Sequence, residues 1–340
     1  MSVDLPLIWA GLIATAVALY VLLDGFDLGV GILFPFASPE ERDVMVNSIA
    51  PVWDGNETWL VLGGGGLFAA FPLAYAILMP ALYLPIGVML TALIFRGVAF
   101  EFRAHGRKSG RKWWTLAFSA GSMIAAVAQG FILGGFLQGV TVDGRSFAGG
   151  GFDWVSPYGA LIAAGLVTGY ALLGACWLIF KAKGDLQARA RRWAMRLILA
   201  VSGLMAAVSI ATLFVNPDIT ARWGISLSGG FDIGQFLLVS PAPLAAAIAA
   251  TGVFLWARKG PDLAPYLAAV VLYLSGFAGL AISLFPNVVP FDITYVEAAA
   301  RDNALGLMLA GTVVLLPLIL GYTGYVYWLF RGKATGGSYH

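Results

Sequence analysis

Acidic side chains stand inside the long apolar runs near the start of the chain, where carboxylates are rare. Asp24 and Asp27 lie late in the run ALYVLLDGFDLGVGILF, and their spacing places them on one face of a helix. Two carboxyls in one apolar site repel each other and lose hydration, so at least one of them should bind a proton near neutral pH. An ionisable residue inside a membrane is costly and usually functional. This acid pair is therefore a candidate for carrying protons.

Two further segments place charges beside the same region. Asp54 and Glu57 open an apolar run in PVWDGNETWLVLGGGG, and the segment LTALIFRGVAFEFR contains Arg96 and Glu101. Arg96 is the expected charge partner of the acid pair. Glu101, in the same predicted helix, points about 140° away from Arg96 at 3.6 residues per turn. The candidate proton carriers are Asp24, Asp27, Asp54, Glu57 and Glu101, with Arg96 as their charge partner.

Structural explanations compete with this interpretation. Asp54 as a helix N-cap with Glu57 three residues later fits a variant of the capping box, and both acids suit the positive end of a helix dipole. Arg96 could form a purely structural salt bridge with the acid pair. Glu101 and Arg103 could be a charge pair at the membrane interface. The sequence alone leaves these alternatives open.

A run of four glycines, Gly63–Gly66, follows Glu57 in the same segment. It does not have the form of a phosphate-binding loop, because no Lys-Ser or Lys-Thr pair follows it. We expect the glycines to allow close packing against a neighbouring helix.

Membrane-spanning helices must position these residues. Of the 340 residues, 60% are hydrophobic and 11% are charged, whereas about a quarter of the residues in soluble domains are charged. Apolar runs of the roughly 20 residues needed to cross a membrane as a helix recur nine times: 7–34, 58–78, 81–102, 113–136, 157–180, 197–215, 236–257, 263–285 and 304–330. The runs are continuous, unlike the alternating strands of a barrel, and predict an all-α integral membrane protein with nine transmembrane helices. The first run is too long for a cleavable signal peptide, and no basic residue precedes it.

The distribution of basic residues predicts the orientation of the chain. Sixteen of the 20 Lys and Arg residues follow the first, third, fifth and seventh runs or lie in the C-terminal tail. Arg145, Arg222 and Arg301 fall on the opposite side. By the positive-inside rule, the N-terminus lies outside and the C-terminus lies in the cytoplasm. Asp54 and Glu57 then stand where the second helix enters the membrane from the cytoplasm.

Ligands for redox cofactors are scarce in this sequence. Its two histidines, His105 and His340, lie outside the predicted helices, and its one cysteine, Cys176, lies in the fifth. These residues exclude bis-histidine haem ligation and a disulfide framework, and we expect no histidine-rich metal site. We therefore expect no catalytic, cofactor-binding or metal-binding residue in this chain, no redox chemistry by the chain alone, and no nucleic-acid partner.

Several motifs resemble those of one known family. They are DGFDLGVG at 24–31, NSIAPVWDGNETWLVLGGGGLFAAFPLAYA at 47–76, FRGVAFEFR at 95–103, SLFPNVVP at 283–290 and YVYWLFRGK at 325–333. The sequence resembles subunit II of the cytochrome bd-type quinol oxidases over essentially its whole length, and the first two motifs are highly specific.

The resemblance implies a fold of two four-helix bundles plus one peripheral helix. The first bundle would occupy 1–138, the second 157–285, and the ninth helix 304–330. The chain would lie in the bacterial cytoplasmic membrane as part of a terminal oxidase, which oxidises quinol and reduces dioxygen to water.

The resemblance also implies partners and roles. Haems b and d, or haem b alone, would lie in the homologous subunit I, which packs against this chain. Small single-span subunits often join, membrane lipids would surround the complex, quinol would react through the complex, and a structural quinone in this chain is left open. The acids of a cytoplasmic proton route map by motif onto Asp24, Asp27, Asp54 and Glu101. Several relatives carry Gln in place of Glu57, and Asp in place of Glu101.

Two other function classes fit buried carboxylates. One is a stand-alone proton-coupled transporter, although the paired broken helices of inverted repeats are not evident. The other is a purely structural membrane anchor whose charges only fix packing. Co-purification with a coloured, haem-bearing subunit would favour the oxidase, and a colourless self-sufficient carrier would favour the transporter.

Overall fold

The computed structural model describes residues 4–105, 110–225 and 230–335, and nearly all of its elements are helices. His340 and the basic residues Arg107 and Lys108, which entered the topology prediction, lie outside the described residues, as does the side chain of His105. The helices are α1 (Leu5–Leu33), α2 (Pro39–Ile49), α3 (Trp53–Ala70), α4 (Pro72–His105), α5 (Arg111–Gln138), α6 (Pro157–Lys181), α7 (Gly184–Thr212), α8 (Pro217–Arg222), α9 (Ile233–Val239), α10 (Pro241–Arg258), α11 (Ala264–Leu284), α12 (Tyr295–Ala298) and α13 (Asp302–Leu329).

Short irregular elements join the helices. A 3₁₀ turn at Phe34–Phe36 follows α1. Two small antiparallel ribbons lie in the connections: β1 (Val142–Asp143) pairs with β2 (Ser146–Phe147), and β3 (Asn287–Val289) pairs with β4 (Ile293–Thr294).

Within the described ranges, eight helices are long and apolar enough to cross a membrane. They are α1, α4, α5, α6, α7, α10, α11 and α13. The all-α membrane fold is confirmed, while the count of nine spans stays a prediction. The remaining long helix is α3, which has 18 residues but begins with the polar sequence WDGNET.

The predicted boundary between the second and third spans is wrong. Runs 58–78 and 81–102 placed it near Pro80, but α3 ends at Ala70 and α4 runs unbroken from Pro72 to His105. Proline suits the first turn of a helix because its missing N–H has no partner there in any case. Pro72 therefore starts α4, whereas Pro80 lies in its interior.

Several basic residues predicted to lie in a loop are helical. α7 begins at Gly184, so Arg189, Arg191, Arg192 and Arg196 lie in its first four turns rather than in a connection. The helix therefore begins before the apolar run that starts at residue 197.

α1 lies at the centre of the helix packing. It contacts α3, α5, α6, α11 and α13, while α4 packs on α5, and α6 packs on α5, α7 and α11. α10 joins α7 and α11. The division into bundles at 1–138 and 157–285 stays a prediction.

Glycines allow the closest approach between α1 and α6. A Cβ built on Gly29 would lie 1.8 Å from the carbonyl oxygen of Tyr170, and one on Gly174 would lie 2.4 Å from the backbone of Gly29. Without side chains at these positions the two backbones touch, as small residues permit in membrane helices. In the four-glycine run, Gly63 and Gly66 pack against α1, as expected, whereas Gly64 and Gly65 have open space beside them.

Candidate functional site

A buried charge cluster lies where α1, α3 and α4 meet. Arg96 of α4 is 2% exposed, and its Nη2 lies 2.6 Å from Oδ1 of Asp24, which is fully buried. The same Nη2 lies 3.1 Å from Oε1 of Glu57 at the start of α3. Arg96 therefore bridges carboxylates from two helices, and the predicted charge partnership of Arg96 with Asp24 is present in the structure.

Asp27 is held by an amide rather than by the guanidinium. It is 1% exposed, and its Oδ2 accepts a hydrogen bond of 2.7 Å from Nδ2 of Asn56. The same Nδ2 also donates to the carbonyl oxygen of Leu23 at 3.2 Å. On the other side of the amide, Oδ1 of Asn56 accepts a 2.8 Å hydrogen bond from the hydroxyl of Tyr327 in α13.

Four polar atoms of the cluster are buried and have no hydrogen-bond partner among the described residues: Asp24 Oδ2, Asp27 Oδ1, Glu57 Oε1 and Arg96 Nη1. Glu57 Oε1 lies at ion-pair distance from Arg96 but without hydrogen-bond alignment. Buried polar atoms are nearly always hydrogen-bonded. These atoms mark the part of the protein interior that is best suited to bind water or a proton.

Glu57 connects the cluster with the surface. Its side chain is 28% exposed, in contrast to the buried Asp24 and Arg96. Asp54 is exposed and lies three residues earlier on α3, so the two acids share one helix face. The structure therefore brings Asp24, Asp27, Glu57 and Arg96 together and leaves Asp54 at the rim.

The capping interpretation of Asp54 is wrong. α3 begins at Trp53 with Val52 as its N-cap residue, and no side chain caps it. Asp54 lies inside the first turn, where its charge still suits the positive end of the helix dipole.

Glu101 lies on α4, five residues after Arg96. It is exposed near the end of α4. The structure pairs Arg103 with Asp43 of α2, at 2.8 Å, and Arg103 also donates to the hydroxyl of Thr115 at 3.3 Å. Arg111 of α5 binds the same oxygen of Asp43.

A second polar group continues from Asp24 along α1. Tyr20 lies one turn before Asp24, and its hydroxyl accepts a 2.7 Å hydrogen bond from Nε2 of Gln129 in α5. Oε1 of Gln129 in turn accepts a 2.7 Å bond from the hydroxyl of Tyr170 in α6. All three side chains are buried. The sequence analysis missed this group because its members are neutral and lie on three helices.

Comparison with known protein families identifies the family of this chain. The family model for cytochrome bd terminal oxidase subunit II matches residues 5–330, which is nearly the whole chain. The chain belongs to the family of cytochrome bd oxidase subunit II. The resemblance inferred from the motifs is therefore confirmed.

Characterised relatives of this subunit II match over almost their full length. Cytochrome bd-I ubiquinol oxidase subunit 2 of Escherichia coli (strain K12) is 30% identical over 369 aligned residues, covering 97% of this chain and 95% of the relative. Cytochrome bd ubiquinol oxidase subunit 2 of Bacillus subtilis (strain 168) is 29% identical and covers 96% of each chain. A chain in the structure of the bd oxidase from Geobacillus thermodenitrificans aligns with a TM-score of 0.75 at 17% identity, covering 97% of this chain and 100% of that one. This last likeness shows the shared fold.

The donor groups of this subunit II set limits on its chemistry. In the ranges that the structure describes, no three His, Cys, Asp or Glu side chains are grouped so that they could hold a metal ion. Cys176 is buried in α6. The family implies haems in the partner subunit.

Asn56 and Tyr327 are two more site residues that sequence reasoning missed. Asn56 lies between Asp54 and Glu57 in the motif WDGNE, and Tyr327 lies in the tail motif YVYWLFRGK. Both motifs had been recognised, but a contact across 271 positions of the chain has no signal in one sequence.

Proposed function

We propose that this chain is the haem-free subunit II of a bd-type quinol:oxygen oxidoreductase in the bacterial cytoplasmic membrane. It stabilises the haem-bearing subunit I and provides part of a proton pathway from the cytoplasm for the reduction of dioxygen to water. The acids of that pathway are Asp24, Asp27, Asp54, Glu57 and Glu101, with Arg96 as charge partner. The N-terminus lies outside and the C-terminus lies in the cytoplasm.

The buried carboxyl cluster is the observation that carries this proposal. The cluster contains three carboxyls and the guanidinium of Arg96: Asp24 and Glu57 contact the guanidinium, and Asp27 is bound by the Asn56 amide. If all were ionised, the cluster would carry excess negative charge in a poorly solvated interior, which is strongly unfavourable. Binding of protons relieves that charge, so the cluster is suited to take up and release protons.

The geometry supports an order for the pathway. Asp54 is exposed, Glu57 is half-buried on the same face of α3, and the fully buried Asp24 shares Nη2 of Arg96 with Glu57. Asp27 follows on α1 beside Asn56. Under the positive-inside topology, Asp54 faces the cytoplasm, and a proton would move from Asp54 through Glu57 to the buried pair. Glu101 would serve as a second surface acid that collects protons.

Cofactors and partners follow from the family. Haems b and d, or haem b alone, would be bound in subunit I, and quinol would be oxidised by the complex. Small single-span subunits, membrane lipids and a structural quinone belong to the same proposal. The relatives' names support the quinol substrate, since two of them are ubiquinol oxidase subunits.

The test uses the complete oxidase with Asp24→Asn or Asp27→Asn in this subunit. Each variant keeps the shape of the side chain and removes the exchangeable proton. We expect quinol-driven oxygen consumption to fall at least about 100-fold, the lower end of the contribution of a positioned proton-transfer group, while the haem spectrum and subunit composition stay normal.

The matched control is Asp302→Asn, which removes an exposed carboxyl from the first turn of α13. It should leave turnover unchanged. Normal turnover in both test variants would refute the proton pathway, and loss of haem together with turnover would favour a structural role for the acids.

The stand-alone transporter remains the alternative. Family membership favours the oxidase subunit, because the matching proteins are named as oxidase subunits and the match covers nearly the full length of both chains. A colourless preparation of this chain that moves protons without a haem-bearing partner would favour the transporter.

A further inference from the structure

The Asn56 amide connects the hydroxyl of Tyr327 with the carboxylate of Asp27. An amide side chain has one acceptor oxygen and one donor NH₂ group. Tyr327 donates to Oδ1 of Asn56 at 2.8 Å, which directs Nδ2 of Asn56 toward Asp27 Oδ2 at 2.7 Å. If the amide rotated by half a turn, its oxygen would face the carboxylate and repel it.

The ring of Tyr327 is fixed independently of its hydroxyl. It packs edge-on against Phe26 and Trp177, with ring centroids 6.5 Å and 6.1 Å away. Phe26 and Trp177 are themselves stacked at 4.1 Å. Removing the hydroxyl therefore leaves a phenyl ring with the same neighbours.

The C-terminal tail, residues 330–335, fastens the end of α13 near Tyr327. The Lys181 ammonium at the end of α6 binds the carbonyl oxygens of Phe330 and Gly332. The backbone N–H of Ala334 donates to the carbonyl oxygen of Lys181 at 2.7 Å, and Lys333 forms an ion pair of 2.7 Å with Asp262.

A second set of bonds ties the same tail to other helices. Asn47 of α2 donates to the carbonyl oxygen of Thr335 at 2.9 Å. Asp262, the partner of Lys333, also binds Arg191 of α7 at 2.6 Å. α13 is otherwise peripheral, and Leu305 is its buried residue. These bonds hold the end of α13, and therefore Tyr327, against the cluster.

We propose that Tyr327 is a positioning residue for Asp27, acting through the Asn56 amide, and that the C-terminal tail keeps Tyr327 in place. This inference rests on the proposed function, since it assigns a further residue to the same proton pathway. Its physical content is the orientation of one amide: with Nδ2 toward Asp27, the charged carboxylate is stabilised by a donor and can release its proton. With the amide reversed, the proton stays on the carboxyl.

The other groups that face Asp27 set the background for a measurement against pH. On its own helix the charged neighbour is Asp24; Glu57 lies on α3 and Arg96 on α4. The phenols of Tyr266 on α11 and Tyr327 on α13 face it from the remaining sides. A change at Tyr327 leaves the charged members of this set in place, so any altered pH dependence comes from the amide.

The test measures quinol-driven oxygen consumption of the complete oxidase against pH for Tyr327→Phe. We expect turnover near neutral pH to fall about three- to tenfold, the size of one hydrogen bond, and the pH profile to move toward higher pH, with haem spectra unchanged. The matched control is Tyr325→Phe, two residues away on the same helix and exposed, which should match the wild type.

The combination with Asp27→Asn separates positioning from packing. If Tyr327 acts through Asp27, Tyr327→Phe should cause no additional loss in the Asp27→Asn background. An unchanged profile for Tyr327→Phe in the wild-type background, or an equal additional loss in the Asp27→Asn background, would overturn the inference. Normal turnover of Asp27→Asn alone would instead show that Asp27 does not belong to the proposed proton pathway.

A tail variant tests the second half of the proposal. Lys333→Ala removes the ion pair to Asp262 and should reproduce the pH shift of Tyr327→Phe in the same direction, with a smaller amplitude. A Lys333→Ala enzyme with the wild-type pH profile would show that the ion pair of Lys333 with Asp262 does not hold Tyr327 in place.

Discussion

Asp24 and Arg96 form an ion pair inside the protein, with 2.6 Å between Oδ1 and Nη2 and side chains that are 0% and 2% exposed. Removing two charges from water costs about as much as their attraction returns, so a buried pair is weak support for stability in itself. The pair joins α1 to α4, and Glu57 from α3 binds the same guanidinium nitrogen. The pair therefore connects the buried acids with the acid that reaches the surface.

Replacing Arg96 with leucine should destabilise the protein strongly. The variant leaves Asp24 buried without its cation, and breaking one partner of a buried pair costs roughly 3–5 kcal/mol. We expect the melting temperature of the purified oxidase to fall and the yield of haem-bearing complex to drop.

The double variant Arg96→Leu with Asp24→Leu provides the control. It removes both charges and should recover most of the melting temperature while staying inactive. A double variant as unstable as the single one would show that helix packing, and not the uncompensated carboxylate, causes the loss.

Glu57→Gln should reduce the turnover of the oxidase more than Asp54→Asn does. Glu57 contacts Arg96 and is half-buried, so water cannot readily take over its role in proton transfer. Asp54 is exposed, and water can deliver protons in its place. We expect turnover to fall about tenfold for Glu57→Gln and only about twofold for Asp54→Asn. The loss for Glu57→Gln should stay below the roughly 100-fold effect of an irreplaceable proton-transfer group, because the resemblance places Gln at this position in several relatives. Oxygen consumption with haem spectra on the same preparation measures both.

Asp185→Asn is the matched control for Asp54, because each acid is exposed in the first turn of a long helix. It should retain full turnover. A larger loss for Asp54→Asn than for Glu57→Gln would reverse the order of the pathway that the structure supports.

The sequence predicted the charges of the site better than their connections. Apolar runs identify helices because a membrane span has a minimum length, and charges inside such runs are rare enough to single out Asp24 and Arg96. Asn56 and Tyr327 carry no charge, and their contact depends on where α13 packs. The boundary at Pro72 was missed because proline both starts helices and occurs inside membrane helices. Packing decides between those roles.

Gly29→Ala should separate α1 from α6. The added Cβ would lie 1.8 Å from the backbone oxygen of Tyr170, and a backbone contact cannot relax by rotating a side chain. Overpacking of this kind typically costs 1–3 kcal/mol, and about the upper end is expected here. Melting of the purified complex, followed by haem absorbance, measures the loss.

Gly11→Ala, on the same helix, is the matched control because its Cβ would meet nothing within 4 Å. It should melt at the wild-type temperature or slightly above, since alanine favours a helix by about 1 kcal/mol over glycine. Equal melting temperatures for the two variants would contradict the close contact of α1 with α6.

The ion pairs of Asp43 should stabilise the protein in a manner that depends on pH. Partial burial raises the pKa of Asp43, but hydrogen bonds from Arg111 and Arg103 outweigh it, so the pKa lies below the ordinary value of 3.8. A carboxyl with a lowered pKa in the folded state contributes stability above its unfolded pKa and loses that contribution as the pH falls through its folded pKa. Asp43→Asn should therefore lower the melting temperature by a nearly constant amount from about pH 7 to about pH 5. The difference from the wild type should shrink as the pH falls through 3.8 and below.

High salt tests the same ion pairs independently. Asp43 is 34% exposed and the Arg111 side chain is 48% exposed, so dissolved salt should weaken their attraction. The Arg103 side chain is only 6% exposed, so salt should weaken its ion pair with Asp43 less. Raising the ionic strength should reduce the difference between wild type and Asp43→Asn without abolishing it. A difference that grew as the pH fell would contradict the lowered pKa, because it would require Asp43 to stabilise the fold in its protonated form.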